Sequence, residues 1–584
     1  MPNHEADLET RARAWLKDDP DPATRRELEG LLEKRDQPAI EDRFGAKLVF
    51  GTAGLRGLLG AGPNRMNRAV VLRATAGLAA WVKAQVPGAQ ERGVAIGFDG
   101  RRMSREFADD AARVLLGAGF RVHAYSTVVA TPVLAFTVLD RKAAAGIMIT
   151  ASHNPPEYNG YKVYWENGAQ IIPPNDVGIA EAIDAVELAK LPLADGDVTK
   201  HPRYAALGED VIDRYHAGVQ KLVRSRDAKR NVRIAYTALH GVGERFTQRA
   251  LAEAGFGDVH SVAAQAKPDG AFPTVSFPNP EEEGAMDLVL ALATDKDADL
   301  VLANDPDADR LAVAVKAPNG RYTMLTGNEI GCLLAHYLLS AVPPASAGQN
   351  DGRVVVSTVV SSPMLGAIAK AHGATWEQTL TGFKWIANRA MDLERAGRSF
   401  VFGYEEALGY SVGTLVRDKD GVSAATVMAD MAAWCQSQGR TLLDEREVMW
   451  RKYGLFLSKQ VSLVRPGMEG LREIAAMMDR ARANPPAKVG TLAVTEITDL
   501  EKRERRTGNK VERLDGPTSD VLVYALEGGH RVMLRPSGTE PKLKLYHDVH
   551  IAIAEGEPVT EALARGEKFL TDLAVAFRSQ IAHE

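Results

Sequence analysis

The chain has 584 residues, 45% hydrophobic and 25% charged, which is too long for one core and apolar enough for several, so three or four domains are expected. A formal net charge of −5 leaves no basic field of the kind that binds nucleic acid. Two cysteines, Cys332 and Cys435, cannot build a disulfide framework, the polar first residues lack a signal-peptide core, and no apolar run reaches the roughly 18 residues that span a bilayer. A soluble cytoplasmic protein with no membrane partner is the expectation.

Residues 5–43 mix charge with spaced apolar positions (Leu8, Trp15, Leu28, Leu31, Leu32), which predicts two helices broken around Pro20 and Pro22 in an extension covering 1–45. From Gly93 the pattern becomes α/β, with a strand at 94–98, a loop at Asp99-Gly100-Arg101-Arg102, a helix over 104–118 and a strand at 121–125; this domain is assigned 46–212. The theme restarts at 232–236, continues with a helix near 245–254 and closes on a strand at 299–304, giving a domain over 213–325. It restarts again at 353–357, after a Pro-, Ser- and Gly-rich surface loop at 342–352, within a domain over 326–455. The last part, 456–584, is β-rich (457–464, 521–526, 531–534, 542–547) with two helical stretches and reads as a separate α+β domain; its charged patch 501–506 reads as a solvated loop.

Four segments carry chemistry. The apolar run 143–149 delivers Thr150-Ala151-Ser152-His153-Asn154-Pro155, a strand-end loop that presents a hydroxyl beside a histidine. Asp305-Pro306-Asp307-Ala308-Asp309-Arg310 follows another apolar strand, and three carboxylates spaced two apart can converge on one hard cation. It is not an EF-hand, because positions six and twelve are Arg310 and Lys316 rather than Gly and Glu. A serine hydroxyl needs activation to act as a nucleophile, and a divalent ion held by the aspartate loop would supply it. Lys162, in Asn159-Gly160-Tyr161-Lys162, suits a general acid/base or an oxyanion partner, and Arg310 suits a phosphate.

Arg535-Pro536-Ser537-Gly538-Thr539, with Lys542 and Lys544 behind it, offers a guanidinium, two hydroxyls and backbone amides as a nest for a phosphate dianion. Glu405 and Glu406 can accept hydrogens from sugar hydroxyls, with Lys419-Asp420-Gly421 nearby, and Gly51 to Gly57 forms a glycine-containing loop that carries Arg56. Each has a plain alternative: an acidic turn, a loop serine, a structural histidine, a surface lysine. No Walker A lysine or strand-linked GxGxxG is present, which disfavours nucleotide binding.

Taken together and in this order, the segments resemble the α-D-phosphohexomutase superfamily of phosphoglucomutases and phosphomannomutases over nearly the whole chain. Residues 50–57, 159–164 and 381–385 most resemble the phosphopentomutase/phosphoglucomutase branch. The resemblance implies four domains around a central cleft, three tandem α/β domains with mixed sheets and a C-terminal α+β domain. It implies a phosphoryl group on Ser152, Mg²⁺ held by that group with Asp305, Asp307 and Asp309, and catalytic roles for His153, Lys162 and Arg56. A phosphosugar substrate would be bound by Arg310, Thr381, Gly382, Glu405, Glu406, Lys419, Arg535, Ser537, Gly538 and Thr539. The implied activity is an isomerase interconverting glucose 1-phosphate and glucose 6-phosphate, with a sugar 1,6-bisphosphate as intermediate and activator. Phosphomannomutase, phosphopentomutase and glucose 1,6-bisphosphate synthase are the alternatives. One position departs: many hexose-specific members carry Ser where this chain has Ala407.

Overall fold

The computed structural model describes residues 2–51, 54–340, 352–537 and 542–582. The loop expected at 342–352 therefore lies, apart from Gly352, outside the described residues. The chain forms two compact units, one comprising Met1–Gly327 with Phe383–Gly439 and the other Asn328–Gly382 with Arg440–Glu584.

The first unit opens with three helices, Pro2–Asp18, Pro22–Lys34 and Gln37–Phe44, where two were expected. The extra break is local. Arg35 turns left-handed at φ 52°, and Asp36 then accepts from the Ala39 amide to start a new helix. Leu8, Ala12, Leu28, Leu32, Ile40 and Phe44 bury one face of the trio around Ala61.

A six-stranded sheet follows, in the spatial order Leu55–Leu58, Tyr158–Trp165, Ala145–Ile149, Val94–Phe98, Val122–Tyr125, Tyr204–Leu207. The last four strands run parallel and the first two join antiparallel, so the sheet is mixed. The strand Val94–Phe98 is buried at every position, which explains its unbroken apolar run. One face carries the helices Arg68–Gln85 and Ser104–Gly117, and the other carries Thr131–Asp140 and Glu209–Gln220, each with its own core. A second mixed sheet orders Tyr322–Met324, Ala312–Lys316, Leu300–Ala303, Ile234–Thr237 and Val259–Ser261. The unit is completed by the antiparallel hairpin Ser399–Glu405/Gly409–Val412 and the buried helix Gly421–Ser437.

In the second unit, Arg353–Thr358 pairs parallel with Thr375–Thr379. The C-terminal part builds an eight-stranded sheet whose core order includes Leu455–Val464, Lys542–Ile551, Arg531–Pro536, Leu522–Leu526 and Leu492–Asp499. The patch 501–506 departs from the expected loop: Glu504–Thr507 is a strand, hairpinned to Lys510–Arg513. It reads as a loop because both faces of this edge hairpin carry charge, which erases the alternation a half-buried strand would show. The helix Val559–Ala582 packs on the sheet, with Phe577 edge-on to Tyr524. Among the described residues no helix is long and apolar enough to cross a membrane.

Candidate active site

The strand Ala145–Ile149 ends inside the first unit and turns sharply at Ser152, whose φ of 53° lies in the left-handed region that serine rarely adopts. The Ser152 amide donates to Thr150 Oγ1 at 2.8 Å. Arg101 holds the rest of the turn. Its buried guanidinium donates to the carbonyls of Ser152 (2.6 Å), Asn154, Pro155 (2.9 Å) and Tyr158 (3.1 Å). Asp99 lies 3.4 Å from Arg101, and the Phe272 ring covers the guanidinium at 4.9 Å.

Ser152 Oγ donates to Asp305 Oδ2 at 2.8 Å and lies 3.2 Å from His153 Nδ1. The strand Leu300–Ala303 and the turn at Ala308 (φ 57°) gather Asp305, Asp307 and Asp309, with one carboxylate oxygen from each within 4.8 Å of the others. All three are buried. Lys162 reaches them from the strand Tyr158–Trp165, donating to Asp307 Oδ2 at 2.7 Å and Asp309 Oδ2 at 2.9 Å. Thr131 Oγ1 also donates to Asp307 Oδ2, at 2.6 Å.

The electrostatics follow from this crowding. Burial, then the neighbouring Asp307 and Asp309, push the Asp305 carboxyl well above the usual range. Burial also opposes ionisation of Asp309, but Lys162, Lys419 and Arg310 outweigh it and hold that carboxyl down. Burial disfavours the charge on Lys162 too, and Asp307 and Asp309 more than restore it. Burial, with Arg310 and Arg56 nearby, keeps His153 well below its ordinary value. Asp307 Oδ1 and Asp309 Oδ1 are buried without a hydrogen-bond partner. Three buried carboxylates, two orphaned oxygens and an all-oxygen donor set fit a hard divalent cation.

The hairpin loop Glu405–Gly409 is fastened to this centre. The Leu311 amide donates to the Leu408 carbonyl at 3.1 Å, and Arg310 bridges Gly409. A Cβ on Gly409 would sit 2.4 Å from Lys419 Cδ, so any larger residue there would push the Lys419 side chain aside. Lys419 Nζ lies 3.4 Å from Asp309 and 3.7 Å from Asp418, and the following Asp420 caps the helix Gly421–Ser437. Burial pushes the Glu405 carboxyl up, against the pull of Lys419. Glu406 is half-buried beside it. Arg56, on the strand Leu55–Leu58, donates to Asn154 Oδ1 at 3.0 Å, and burial lowers its pKa.

Ser152, His153, Lys162, Arg56, the three aspartates, Arg310, Glu405, Glu406 and Lys419 thus all belong to the first unit. Thr381, Gly382, Arg535 and Ser537 belong to the second. There Gly382 takes φ 104° just after the strand Thr375–Thr379, and Arg535 sits on a strand opposite Lys544, where the Ser537 amide closes onto the Lys542 carbonyl. Gly538 and Thr539 lie outside the described residues.

Three contributors to the site carry no motif of their own. Besides the Arg101 clamp and Thr131, the irregular segment 266–286 places Phe272 over Arg101, stacks Phe277 on His153 (6.1 Å, 22°) and brings Glu281 to 3.8 Å from Arg310. The signal in its sequence, Pro278-Asn279-Pro280-Glu281, is no more than a turn.

A buried serine hydroxyl against an acidic metal-type loop, ringed by lysine and arginine, is the equipment of a phosphoryl-transfer enzyme. The chain belongs to the phosphoglucomutase/phosphomannomutase family: it matches alpha/beta/alpha domain I over 47–190, domain II over 213–320, domain III over 326–453 and the C-terminal domain over 488–564. It is therefore an enzyme of the mutase, isomerase class, with the four-domain α/β architecture of that family. It is 41% identical over 83% of its length to a Haemophilus influenzae protein named as a probable phosphomannomutase, covering 93% of that protein. Human phosphopentomutase is 35% identical over 95% of this chain (93% of its own), and human glucose 1,6-bisphosphate synthase is 36% identical over 94% (91% of its own). Among solved structures, the Paramecium phosphoglucomutase parafusin in its open form shares the fold with TM-score 0.66 at 17% identity, over 92% of this chain and 96% of that one.

Proposed function

We propose that this enzyme is a phosphosugar mutase that works through a phosphoserine at Ser152 and interconverts sugar 1-phosphates with the phosphates of their terminal hydroxyls, glucose 1-phosphate and glucose 6-phosphate included. The observation that carries the reading is the 2.8 Å contact of Ser152 Oγ with Asp305 inside a buried aspartate triad. In this reading Ser152 Oγ bears the phosphoryl group at rest. The free hydroxyl of a bound sugar monophosphate attacks phosphorus, the P–Oγ bond breaks, and a sugar bisphosphate forms. The proton lost by the sugar hydroxyl balances the one Ser152 Oγ takes up. His153, whose Nδ1 lies 3.2 Å from Oγ, would pass it. Lys162 and Arg56 bring positive charge towards the transferring group, and Arg101 keeps the nucleophile aimed. The bisphosphate then turns over and returns its other phosphate to Ser152 in the reverse sequence.

Asp305, Asp307 and Asp309 would hold Mg²⁺ together with a phosphoryl oxygen, and the ion would neutralise charge on the phosphoryl group. Arg310 would hold a phosphate near the aspartate loop, with Glu405, Glu406 and Lys419 on the substrate; Arg535, Ser537, Gly538 and Thr539 would bind the phosphate not in transfer, and Thr381 and Gly382 would add substrate contacts.

Ala407 bears on the choice of sugar. It offers no side-chain hydrogen bond where a serine would, so a substrate lacking a hydroxyl leaves fewer buried groups unpaired. Pentose 1-phosphates therefore compete appreciably with glucose 1-phosphate, and similarity to proteins named phosphopentomutase supports this. Coupled assays on glucose, mannose, ribose and deoxyribose 1-phosphates test it, with Ala407→Ser expected to tilt preference towards hexoses. Rejection of both pentose substrates by several orders of magnitude would remove Ala407 from the account. Similarity to glucose 1,6-bisphosphate synthase supports a second reading, in which phosphate comes from an acyl phosphate donor and bisphosphate is released into solution.

A further inference from the structure

The three N-terminal helices precede the family's domain I, which begins at residue 47, and they build a pocket against it. The pocket measures about 470 Å³. Arg11, Trp15 and Phe44 line it from the helices, Lys47 and Arg73 from the domain, and no acidic residue is among its walls. Arg73 projects from the helix Arg68–Gln85 and lies over the Trp15 ring at 5.2 Å. Its Nε is buried without a hydrogen-bond partner, an arrangement that costs free energy unless something accepts from the guanidinium. Arg11 and Lys47 meet acids only at the exposed rim: Arg11 lies 3.7 Å from Asp7 and Lys47 lies 2.5 Å from Asp184. Arg11 also donates through Nη2 to the Phe44 carbonyl, which holds its guanidinium at the pocket wall, while the exposed pair with Asp184 is weak and leaves Lys47 able to turn inward.

We propose that this pocket is a second anion site, distinct from the phosphoserine centre, that takes a phosphate dianion on Arg73, Arg11 and Lys47. A guanidinium stacked on an indole suits a phosphate, and the Trp15 and Phe44 rings, packed edge to face at 6.2 Å, give an attached ring an apolar wall. The site joins residues ahead of domain I to residues within it, so the N-terminal helices gain a binding role. Its wall at Phe44–Lys47 leads directly into the segment that carries Arg56.

Equilibrium dialysis of the full chain with inorganic phosphate and with adenosine 5′-monophosphate tests the site, since both present the dianion and the second alone carries a ring. Arg73→Gln should weaken binding of the bound probe at least tenfold without changing glucose 1-phosphate turnover, and Arg535→Ala should leave that binding intact. Tighter binding of the nucleotide, reduced by Trp15→Leu, assigns the ring to the indole; equal binding of the two assigns the site to phosphate alone. Should Arg73→Gln fail to fold, the exposed double variant Arg11→Gln/Lys47→Gln carries the same expectation. No measurable binding to the wild type, equal affinity in the pocket variants, or loss of binding in Arg535→Ala overturns the proposal. The last result places the anion at the phosphate loop and leaves the mutase reading untouched.

Discussion

Replacing Arg101 with lysine probes how the Ser152 turn is held. Arg101 donates to four carbonyls of the 152–158 turn and is buried beside Asp99. A hydrogen bond from a charged donor contributes about 1.5–3 kcal/mol, and a residue held left-handed stores about 1–3 kcal/mol of strain. Lysine keeps the charge opposite Asp99 but has one ammonium for four acceptors spread along a turn, so two or three contacts are lost. Lost contacts in one network do not add, and water replaces part of them; a net loss of about 3 kcal/mol in holding Ser152 at φ 53° is the reasonable scale. That corresponds to about a hundredfold fall in kcat, because each 1.4 kcal/mol is tenfold. KM for glucose 1-phosphate should change little, since Arg101 is buried and spends its guanidinium on the loop's backbone carbonyls. Steady-state kinetics with a thermal melt on each protein give the readout. A kcat within threefold of wild type in a fully folded Arg101→Lys would refute the clamp.

Other outcomes follow from the same geometry. Chelation should abolish turnover and Mg²⁺ restore it, while Asp307→Asn should lose activity with an unchanged circular dichroism spectrum; activity surviving exhaustive chelation would remove the metal role. Arg535→Ala should raise KM strongly, with a smaller effect on kcat, because the non-transferred phosphate is held in ground and transition states alike; unchanged kinetics would place the loop outside the site. His216 is buried against Phe246 with neither ring nitrogen bonded, and burial, reinforced by Arg249, lowers its pKa from 6.5 to about 4. The unfolded chain therefore takes up its proton first, so this contribution to stability is complete above pH 6.5 and is lost as pH falls towards 4, by up to about 3 kcal/mol. His216→Leu should lose less melting temperature than wild type between pH 7 and 4.5, and an equal loss would show that His216 carries none of the acid sensitivity.

What could be read in advance depended on how local each signal was. The strand Val94–Phe98 and the aspartate loop announce themselves because an apolar run and three spaced acids sit side by side in sequence. The loop's supports do not. Lys162 and Thr131 reach Asp307 only through pairing of strands and helices across 145 and 176 residues, and nothing near Arg101 in sequence says that its guanidinium faces the serine turn. The third N-terminal helix was hidden for a smaller reason: one left-handed residue, Arg35, breaks a pattern that otherwise continues. The hairpin at Glu504–Thr507 was hidden by charge on both faces. The loop Glu405–Gly409 was legible as paired acids, but its fastening to Arg310 needed the fold.

The phosphoserine is the centre of the account, and intact-mass measurement tests it most directly. Wild-type enzyme and Ser152→Ala would be incubated with sugar 1,6-bisphosphate, freed of ligand, weighed, and assayed on glucose 1-phosphate. The wild type should carry one phosphoryl adduct, mapped by peptide fragmentation to Ser152, with no adduct and no mutase turnover in Ser152→Ala. A phosphoryl group retained by Ser152→Ala, or full turnover by that variant, would contradict the phosphoserine assignment.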